Sequence, residues 1–284
     1  MSDFYESDLA EERHTADFLD GGILFLEEKH SEVRLTRLTV TSETGARAIE
    51  RPVGRYLTVS FPRAFLLSPT LCEEGAQRIA DALDELLPKH ALQILVLGLG
   101  NRHLTADSIG PLCADALSEA GLPKGVAVFS PGTMGQTGLP SVKLARAAIA
   151  AHGADALVLI DALAGRDRQR LLCAVELCDT GLSPGTGVGN RTDAIRESTV
   201  GVPTVAVGIP TMMRGAVLLK NELSRLKISD GGEGAERRLE GLFVVPSSLD
   251  EDIKEMTRLI TYAFSLFFVK RYQNLNGTER KKER

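Results

Sequence analysis

The chain has 284 residues, of which 43% are hydrophobic and 25% charged, as expected for one large or two small soluble α/β domains. A net charge of −5 disfavours general affinity for nucleic acid, and no apolar run reaches the length of a membrane span. The N-terminus lacks the basic and apolar regions of a secretory signal, and the 4 cysteines show no C-x-x-C spacing. We therefore expect a cytoplasmic protein without a zinc site or a disulfide framework.

The first part of the chain predicts an antiparallel β region behind an acidic extension. Residues 1–20 show no sustained periodicity, and we expect them to be mobile. Strands are expected over 22–29, 31–41 and 55–61, and the last two alternate polar and apolar residues as half-buried strands do. We interpret this region as an antiparallel addition to the main sheet.

From residue 73 the pattern changes to alternating helices and strands, which is typical of a mostly parallel sheet with helices on both faces. The predicted strands cover 94–98, 126–130, 156–160, 171–177 and 204–208. The predicted helices cover 74–87, 108–120, 141–152 and 248–270. A flexible loop over Leu226–Glu240 and a disordered charged tail over 274–284 complete the α/β prediction.

Two aspartates are the candidate catalytic residues. Asp161 directly follows a predicted buried strand, and Asp107 lies in the Gly-rich stretch that follows another. Ligands of open parallel sheets bind beyond the carboxyl ends of the strands. Two carboxylates in that crevice could share a proton and activate water, which suits hydrolysis. Alternatively, each could cap the next helix, and Asp179, in an Asp-Thr-Gly triplet, is a third candidate acid.

Two Gly-rich loops could supply amides to a substrate carbonyl oxygen, although tight turns alone would also explain them. The candidate loop residues are Gly132, Gly135, Gly138, Gly185, Gly187 and Gly189. Neither loop completes a P-loop, and His103 replaces the third glycine of a dinucleotide-binding motif. No cofactor and no metal are expected, although a metal centre of Asp107, Asp161 and His103 is an alternative.

Five blocks along the chain resemble the germination protease family, the endopeptidases of bacterial spores. They contain Val96–Asn101 with Thr105–Pro111, then Pro131–Gly138, Ile160–Arg166, Asp179-Thr-Gly with Pro184–Asn190, and Gly201–Thr211. The resemblance implies an endopeptidase that degrades small acid-soluble, DNA-protecting spore proteins during germination. It also implies a catalytic pair of aspartates at Asp107 and Asp161, the phosphorylase/hydrolase-like fold of hydrogenase-maturation proteases, and a homotetramer in the spore core.

The resemblance further implies a zymogen that removes its own propeptide. Residues 8–12, Asp-Leu-Ala-Glu-Glu, are similar to the family's acid–apolar–Ala–x–acid cleavage pattern. Cleavage between Asp8 and Leu9 would leave residues 1–8 as the propeptide and 9–273 as a single peptidase domain. The substrate proteins carry a similar pattern, so a chain that cuts its own N-terminus is chemically coherent.

The sequence also departs from the family. Ala106 replaces a usual proline, Arg214-Gly215 replaces a usual Asp-Ala pair, and the region before the last helix is short. Two alternatives therefore stay open: a metal-assisted peptidase of the hydrogenase-maturation type, and a binding protein on the same fold that has lost catalysis. No direct contact with nucleic acid or membrane is expected for any of the three.

Overall fold

A computed structural model describes residues 7–13, 22–63, 68–184, 193–228, 234 and 237–282, excluding the side chains of His30 and of residues 274–282. Nine described strands form one sheet. They are β1 (Ile23–His30), β2 (Val33–Val40), β3 (Gly54–Ser60), β4 (Ile94–Gly98), β5 (Val126–Phe129), β6 (Ala156–Gly165), β7 (Ala174–Cys178), β8 (Thr204–Arg214) and β9 (Phe243–Val244).

The strand order is β1-β2-β3-β7-β8-β6-β4-β5, with β9 paired to β8. The pairs β8–β6, β6–β4 and β4–β5 are parallel and form the core, whereas β1, β2 and β3 make an antiparallel addition. β7 runs antiparallel to both β3 and β8 and joins the two parts. The predicted α/β class with a parallel core and an N-terminal antiparallel addition is confirmed.

Helices cover both faces of the sheet. They are α1 (Ala10–Arg13), α2 (Glu43–Ile49), α3 (Pro69–Leu86), α4 (Ile109–Ala120), α5 (Met134–Thr137), α6 (Ser141–His152), α7 (Glu197–Val200), α8 (Gly215–Arg225) and α9 (Leu249–Lys282). One face packs against α3, α4 and α9, and the other against α2, α6 and α7. In α3 the buried residues Ile79, Leu83 and Leu86 recur at helical spacing, so one apolar stripe faces the sheet.

Several elements differ from the prediction. Helix α2, which begins after the N-cap Ser42, and helix α8 were not predicted, because they are short or carry many polar residues. Strands β6 and β8 run past their predicted ends because they stay paired to Gly165 and Met213, across a bulge after Leu163. Helix α9 ends at Lys282, so the predicted disordered tail is helical that far, in keeping with its Glu, Lys and Arg content.

The prediction of a mobile extension over residues 1–20 is wrong for its described part, Ser7–Arg13. Leu9 and Ala10 have exposed fractions of 0%, and Ala10 belongs to the core cluster beside α2 and α6. The segment lies across the carboxyl end of the parallel core. There its polar groups form hydrogen bonds with residues far away in sequence, among them Ala164, Arg166 and Glu176. Among the described residues, no helix is long and apolar enough to cross a membrane.

Candidate active site

Asp161 lies where the parallel core opens into a cleft. The pairing of β4 with β6 ends at Gly98 and Ile160, so Asp161 is the first residue of β6 beyond the end of β4. Asp161 was predicted to follow the end of its strand, but β6 continues past it along β8. The Asp161 side chain is buried, and its Oδ1 accepts a hydrogen bond from the Ala162 amide at 3.0 Å.

Asp107 ends a 3₁₀ turn, Thr105–Asp107, just before α4. Its side chain does not cap that helix, because its Oδ2 accepts a hydrogen bond from the Asn101 amide at 2.8 Å across the preceding loop. The buried Thr211 hydroxyl of β8 donates to the Ala106 carbonyl at 2.5 Å and fixes the turn from below. The preceding loop, through the Asn101 amide, and strand β8, through Thr211, thus both help to fix the position of Asp107.

Gly100 makes this placement possible. It has a φ of +113°, and a Cβ atom there would lie 2.1 Å from the Asp107 carbonyl oxygen. No other residue fits without moving Asp107, because a contact that short requires the backbone to shift. Gly100 therefore serves a close approach of two chain segments.

Burial raises the pKa of the Asp161 carboxyl well above its usual range, and the nearby negative charge of Asp107 raises it further. The Ala162 amide opposes this effect, whereas the Asp8 carboxylate adds to it. Burial also raises the pKa of Asp107, against the opposing Asn101 hydrogen bond. Two close carboxylates cannot both ionise at low cost, so the pair is suited to hold a single proton.

Both aspartates line a cleft of about 670 Å³, which Asp8 and the predicted loop glycines Gly132 and Gly135 line as well. Gly138 does not belong to that lining and instead ends α5, with a φ of 69°. The other predicted loop glycines, Gly185, Gly187 and Gly189, lie outside the described residues. Gly132 and Gly135 thus lie beside the two aspartates in the cleft lining, and their role in binding a carbonyl oxygen stays a prediction.

The two loops of the cleft are linked by a hydrogen bond that was not predicted from the sequence. The Gln136 side-chain amide donates to the Asn101 Oδ1 atom at 2.8 Å, and its own oxygen accepts from the Thr133 amide at 3.0 Å. Because the Asn101 backbone also binds Asp107, this chain of contacts connects the Gly132–Gly138 loop to the dyad.

The N-terminal segment crosses the cleft beside the dyad. The Asp8 amide donates to the Ala164 carbonyl at 2.8 Å, and the Ala164 amide donates to the Asp8 Oδ2 atom at 2.8 Å. Asp8 thus pairs with the outer part of β6, three positions beyond Asp161 in sequence. Since Asp8 lines the same cleft as Asp107 and Asp161, the candidate cleavage site lies close to the candidate catalytic pair.

A buried glutamate of β7, which was not predicted as a site residue, holds the next part of the segment. The Glu176 Oε2 atom accepts from the Ala10 amide at 2.6 Å, and its Oε1 atom lies 4.0 Å from the Arg51 Nη2 atom. Burial raises the pKa of Glu176 to about 7, although Arg51 and the Ala10 amide oppose the shift. Within the described residues, two buried nitrogens of Arg51 have no hydrogen-bond partner.

The remaining candidates lie apart from the dyad. Asp179 accepts from the Arg55 amide at 2.8 Å and from the Arg55 Nε atom at 2.7 Å, which is a structural ion pair rather than a place in the cleft lining. His103 is exposed. The described residues contain no group of three or more His, Cys, Asp or Glu side chains placed to hold a metal ion, so Asp107, Asp161 and His103 do not form one.

Arg214 is one of the residues at which the sequence departs from the family pattern. It ends β8 and does not line the cleft. Its guanidinium carbon lies 5.9 Å from the centre of the Phe243 ring on β9. This distance permits a cation–π contact between the two strands.

Comparison with known proteins places these residues in a family. The sequence profile described as germination protease matches residues 3–227. A germination protease of Clostridium perfringens strain 13 is 32% identical over 219 residues, covering 71% of this chain and 66% of the relative. One of Caldanaerobacter subterraneus subsp. tengcongensis is 32% identical over 218 residues, covering 72% and 67%. The chain thus spans about two thirds of the length of these relatives.

Among solved structures, the [NiFe] hydrogenase maturation protease HycI from Thermococcus kodakarensis KOD1 is similar to this chain at 19% sequence identity. The match covers 65% of this chain and 99% of that protein, with a TM-score of 0.40. The family assignment rests on the profile and the two relatives.

Proposed function

Because the chain belongs to the germination protease family, we propose that it is an endopeptidase in which Asp107 and Asp161 activate water. The observation that carries the proposal is the pair of carboxylates in one cleft, with a peptide segment of the chain lying beside them. A cleft that holds a segment of the chain beside a carboxylate pair suits hydrolysis of a peptide bond.

The two aspartates differ in burial and in partners, and the proposal gives them different roles on that basis. Asp161 is buried, with an exposed fraction of 6%, and its pKa is raised well above the usual range, so in this proposal it holds the shared proton at rest. Asp107 accepts the Asn101 amide and carries the negative charge. Asp107 then takes a proton from water as the water attacks the scissile carbonyl carbon, and Asp161 gives its proton to the leaving nitrogen. In this proposal the amides of Gly132 and Gly135, which line the cleft, bind the oxygen on which charge develops.

The substrates that we propose are the small acid-soluble, DNA-protecting proteins of the spore, with cleavage after an acidic residue and before an apolar residue and alanine. The chain carries that pattern at Asp8, Leu9 and Ala10. Contacts of this segment beside the dyad support the further proposal that the chain is a zymogen. In this proposal the chain blocks its own cleft with residues 7–13 and cuts between Asp8 and Leu9.

We propose that acidification of the spore core starts this processing. Glu176 is the group whose position supports the idea, because it binds the segment at Ala10 and its pKa is about 7. Protonation removes the charge-assisted part of the hydrogen bond from the Ala10 amide, so in this proposal that one contact weakens, even though burial makes the folded protein as a whole more stable with Glu176 protonated. By family membership the assembly would be a homotetramer, which sedimentation velocity would test directly.

The proposal is tested by incubating a small acid-soluble spore protein with the chain that begins at Leu9 and identifying the products by mass spectrometry. Asp107→Asn and Asp161→Asn variants of the same chain serve as matched controls. Cleavage after an acidic residue, lost in both variants, is the expected result. A chain beginning at Leu9 that is as inert as the full chain would contradict the zymogen proposal.

Other outcomes distinguish the alternatives. Cleavage that survives in either variant would retain a protease but remove the dyad. Cleavage that is lost on chelation and restored by nickel or zinc would favour a metal-assisted peptidase of the hydrogenase-maturation type. Absence of cleavage by every form, with the spore protein bound, would favour a non-catalytic binding protein.

A further inference from the structure

A two-point ion pair fixes the middle of the N-terminal segment. The Arg170 Nη1 and Nη2 atoms donate to the two carboxylate oxygens of Glu11 at 2.7 and 2.6 Å. The Glu11 side chain is 7% exposed and that of Arg170 is 16% exposed, so water screens the pair little. Bidentate arginine–carboxylate pairs are directional as well as strong, and this geometry therefore discriminates against other side chains.

A second cation stands on the same carboxylate. The Arg34 Nη2 atom of β2 lies 3.5 Å from the Glu11 Oε1 atom, while the Arg34 Nη1 atom lies 3.5 Å from Glu27. Two guanidinium groups from separate elements thus converge on one acidic side chain. A neutral side chain at this place would leave Arg170 partly buried without its partner, which is costly.

The adjacent Glu12 is held by different groups. Its carboxylate accepts the backbone amides of Arg166 at 2.6 Å and Asp167 at 3.1 Å, and the Ser7 hydroxyl also donates to it. Arg170 approaches it only through Nε, at 3.8 Å. The two Nη groups of Arg170 are therefore committed to the position of Glu11.

We infer that Arg170, supported by Arg34, forms a subsite that selects an acidic residue at the third position after the scissile bond. The inference rests on the proposed function, because it takes the bond between Asp8 and Leu9 as the one that is cut, which makes Glu11 the third residue beyond it. The acid–apolar–Ala–x–acid pattern leaves that position open, so the selection is a property of this chain's own residues.

The subsite has a consequence for inhibition. A substrate with a neutral residue at the third position lacks the contact that the chain's own segment makes, so it competes less well for the cleft. The enzyme therefore holds its own N-terminal segment more tightly than such substrates, and it prefers substrates with acid at that position.

The test uses the full-length chain after it has been left to process itself. It is offered peptides with the sequence of residues 3–16 that differ only in having Glu, Gln or Lys at the place of Glu11. Relative to the Glu peptide, the Gln peptide loses a charge-assisted hydrogen-bonded pair. Its kcat/KM should therefore fall roughly tenfold to hundredfold, and the fall should come from a higher KM. Lys should be cut more slowly still. Residues 9–13 of the chain compete with every peptide alike, so ratios within one enzyme are unaffected.

Variants of Arg170 then separate recognition from folding. In Arg170→Gln the preference for the Glu peptide over the Gln peptide should shrink to the small part that Arg34 supplies, and in Arg170→Glu the order should reverse in favour of Lys. Arg168→Gln is the matched control, because Arg168 belongs to the same 3₁₀ turn, Arg168–Arg170, but is exposed. It should retain the preference of the wild type. A reversed preference cannot arise from partial unfolding, which lowers all rates together.

A second assay does not depend on peptidase activity. Trypsin cleavage after Arg13 reports how firmly the segment is held in the full chain, and it should be faster in Glu11→Gln and in Arg170→Gln than in Arg168→Gln. Equal KM values for the three peptides would overturn the subsite and leave the proposed function intact. If the wild type cut none of the peptides, the proposed function would fail and the subsite with it.

Discussion

The dyad side and the segment side of this region hold carboxylates with different sets of partners. On the dyad side, Asp107 accepts the Asn101 amide and Asp161 the Ala162 amide, and burial raises the pKa of both. On the segment side, Glu11 meets a bidentate guanidinium, and Glu12 meets two amides and a hydroxyl, although burial raises the pKa of Glu12 too. A carboxylate with few partners is suited to proton transfer, whereas one with several directional partners is suited to hold a peptide in place. Chemistry and recognition thus fall to different carboxylates.

The largest expected effect tests the dyad side. Asp107→Asn and Asp161→Asn should each lower kcat by at least about a hundredfold, the range expected when a general acid or base is lost. Asp179→Asn is the matched control, because this carboxylate pairs with Arg55 outside the cleft lining, and it should stay within a few-fold of wild type. Peptide hydrolysis followed by chromatography measures all three, and a large loss in the control would place the chemistry elsewhere.

Asp161→Asn should also change the pH dependence of stability in a definite direction. Since the folded state raises the pKa of Asp161, its carboxyl stabilises the protein when protonated and that stability is lost as pH rises through the folded pKa. Asp161→Asn removes this dependence. The variant should therefore unfold at the same or a higher denaturant concentration than wild type at high pH, which shows that its lost activity is not lost folding.

Placement of the dyad is tested by Gly100→Ala. The new Cβ atom would lie 2.1 Å from the Asp107 carbonyl oxygen, so the turn must move and kcat should fall about tenfold or more. Gly153→Ala is the control, because Gly153 also has positive φ, +69°, but open space around it. It should lose some stability and keep its turnover. Equal turnover losses in both variants would mean that backbone strain, and not displacement of Asp107, is responsible.

The segment side is tested through Glu176. Its pKa rises from 4.5 to about 7 on folding, so its contribution is fully present below pH 4.5 and is lost as pH rises towards and past 7. Relative to Glu176→Gln, the free energy of unfolding of the wild type should fall by about 3 kcal/mol over that window. Urea titrations at several pH values measure the difference, and identical pH dependence of the two proteins would contradict it.

The smallest effect is expected at the link between the two loops. Gln136→Leu removes the exposed hydrogen bond to Asn101 but leaves the Asn101 amide on Asp107. A net contribution of about 0.5–1 kcal/mol corresponds to a two- to fivefold loss in kcat. Leu139→Met is the control, because Leu139 follows the same short helix but is exposed and outside the cleft lining, and it should be unchanged. A loss in Gln136→Leu as large as that of the aspartate variants would mean that the link itself takes part in catalysis.

The sequence predicted the parallel core and the meeting of Asp107 with Asp161, because both follow from local patterns. Apolar runs such as 94–98 and 156–160 mark buried strands, and parallel strands bring their carboxyl ends to one edge. The end of β6 was missed because its extension past Asp161 depends on pairing with β8, which no local pattern reveals.

Segment 7–13 could not be placed from sequence, because its partners are distant along the chain. Ala164, Arg170 and Glu176 contribute one or two contacts each, and a charged heptapeptide without them has no reason to be ordered. Glu176 was not predicted as a site residue, because it is a lone acidic residue in the apolar stretch of β7. A buried acid in a strand, next to a basic partner such as Arg51, is the signal that would have found it.

The central claim is that Asp107 and Asp161 cut a peptide bond, and intact-mass spectrometry of the full-length chain tests it most directly. Wild type, Asp107→Asn and Asp161→Asn are incubated side by side at mildly acidic pH. The account predicts that the wild type alone loses the mass of residues 1–8, leaving a chain that begins at Leu9. Loss of that mass from either variant, or an uncut wild type whose cleft is shown to be folded, would contradict it.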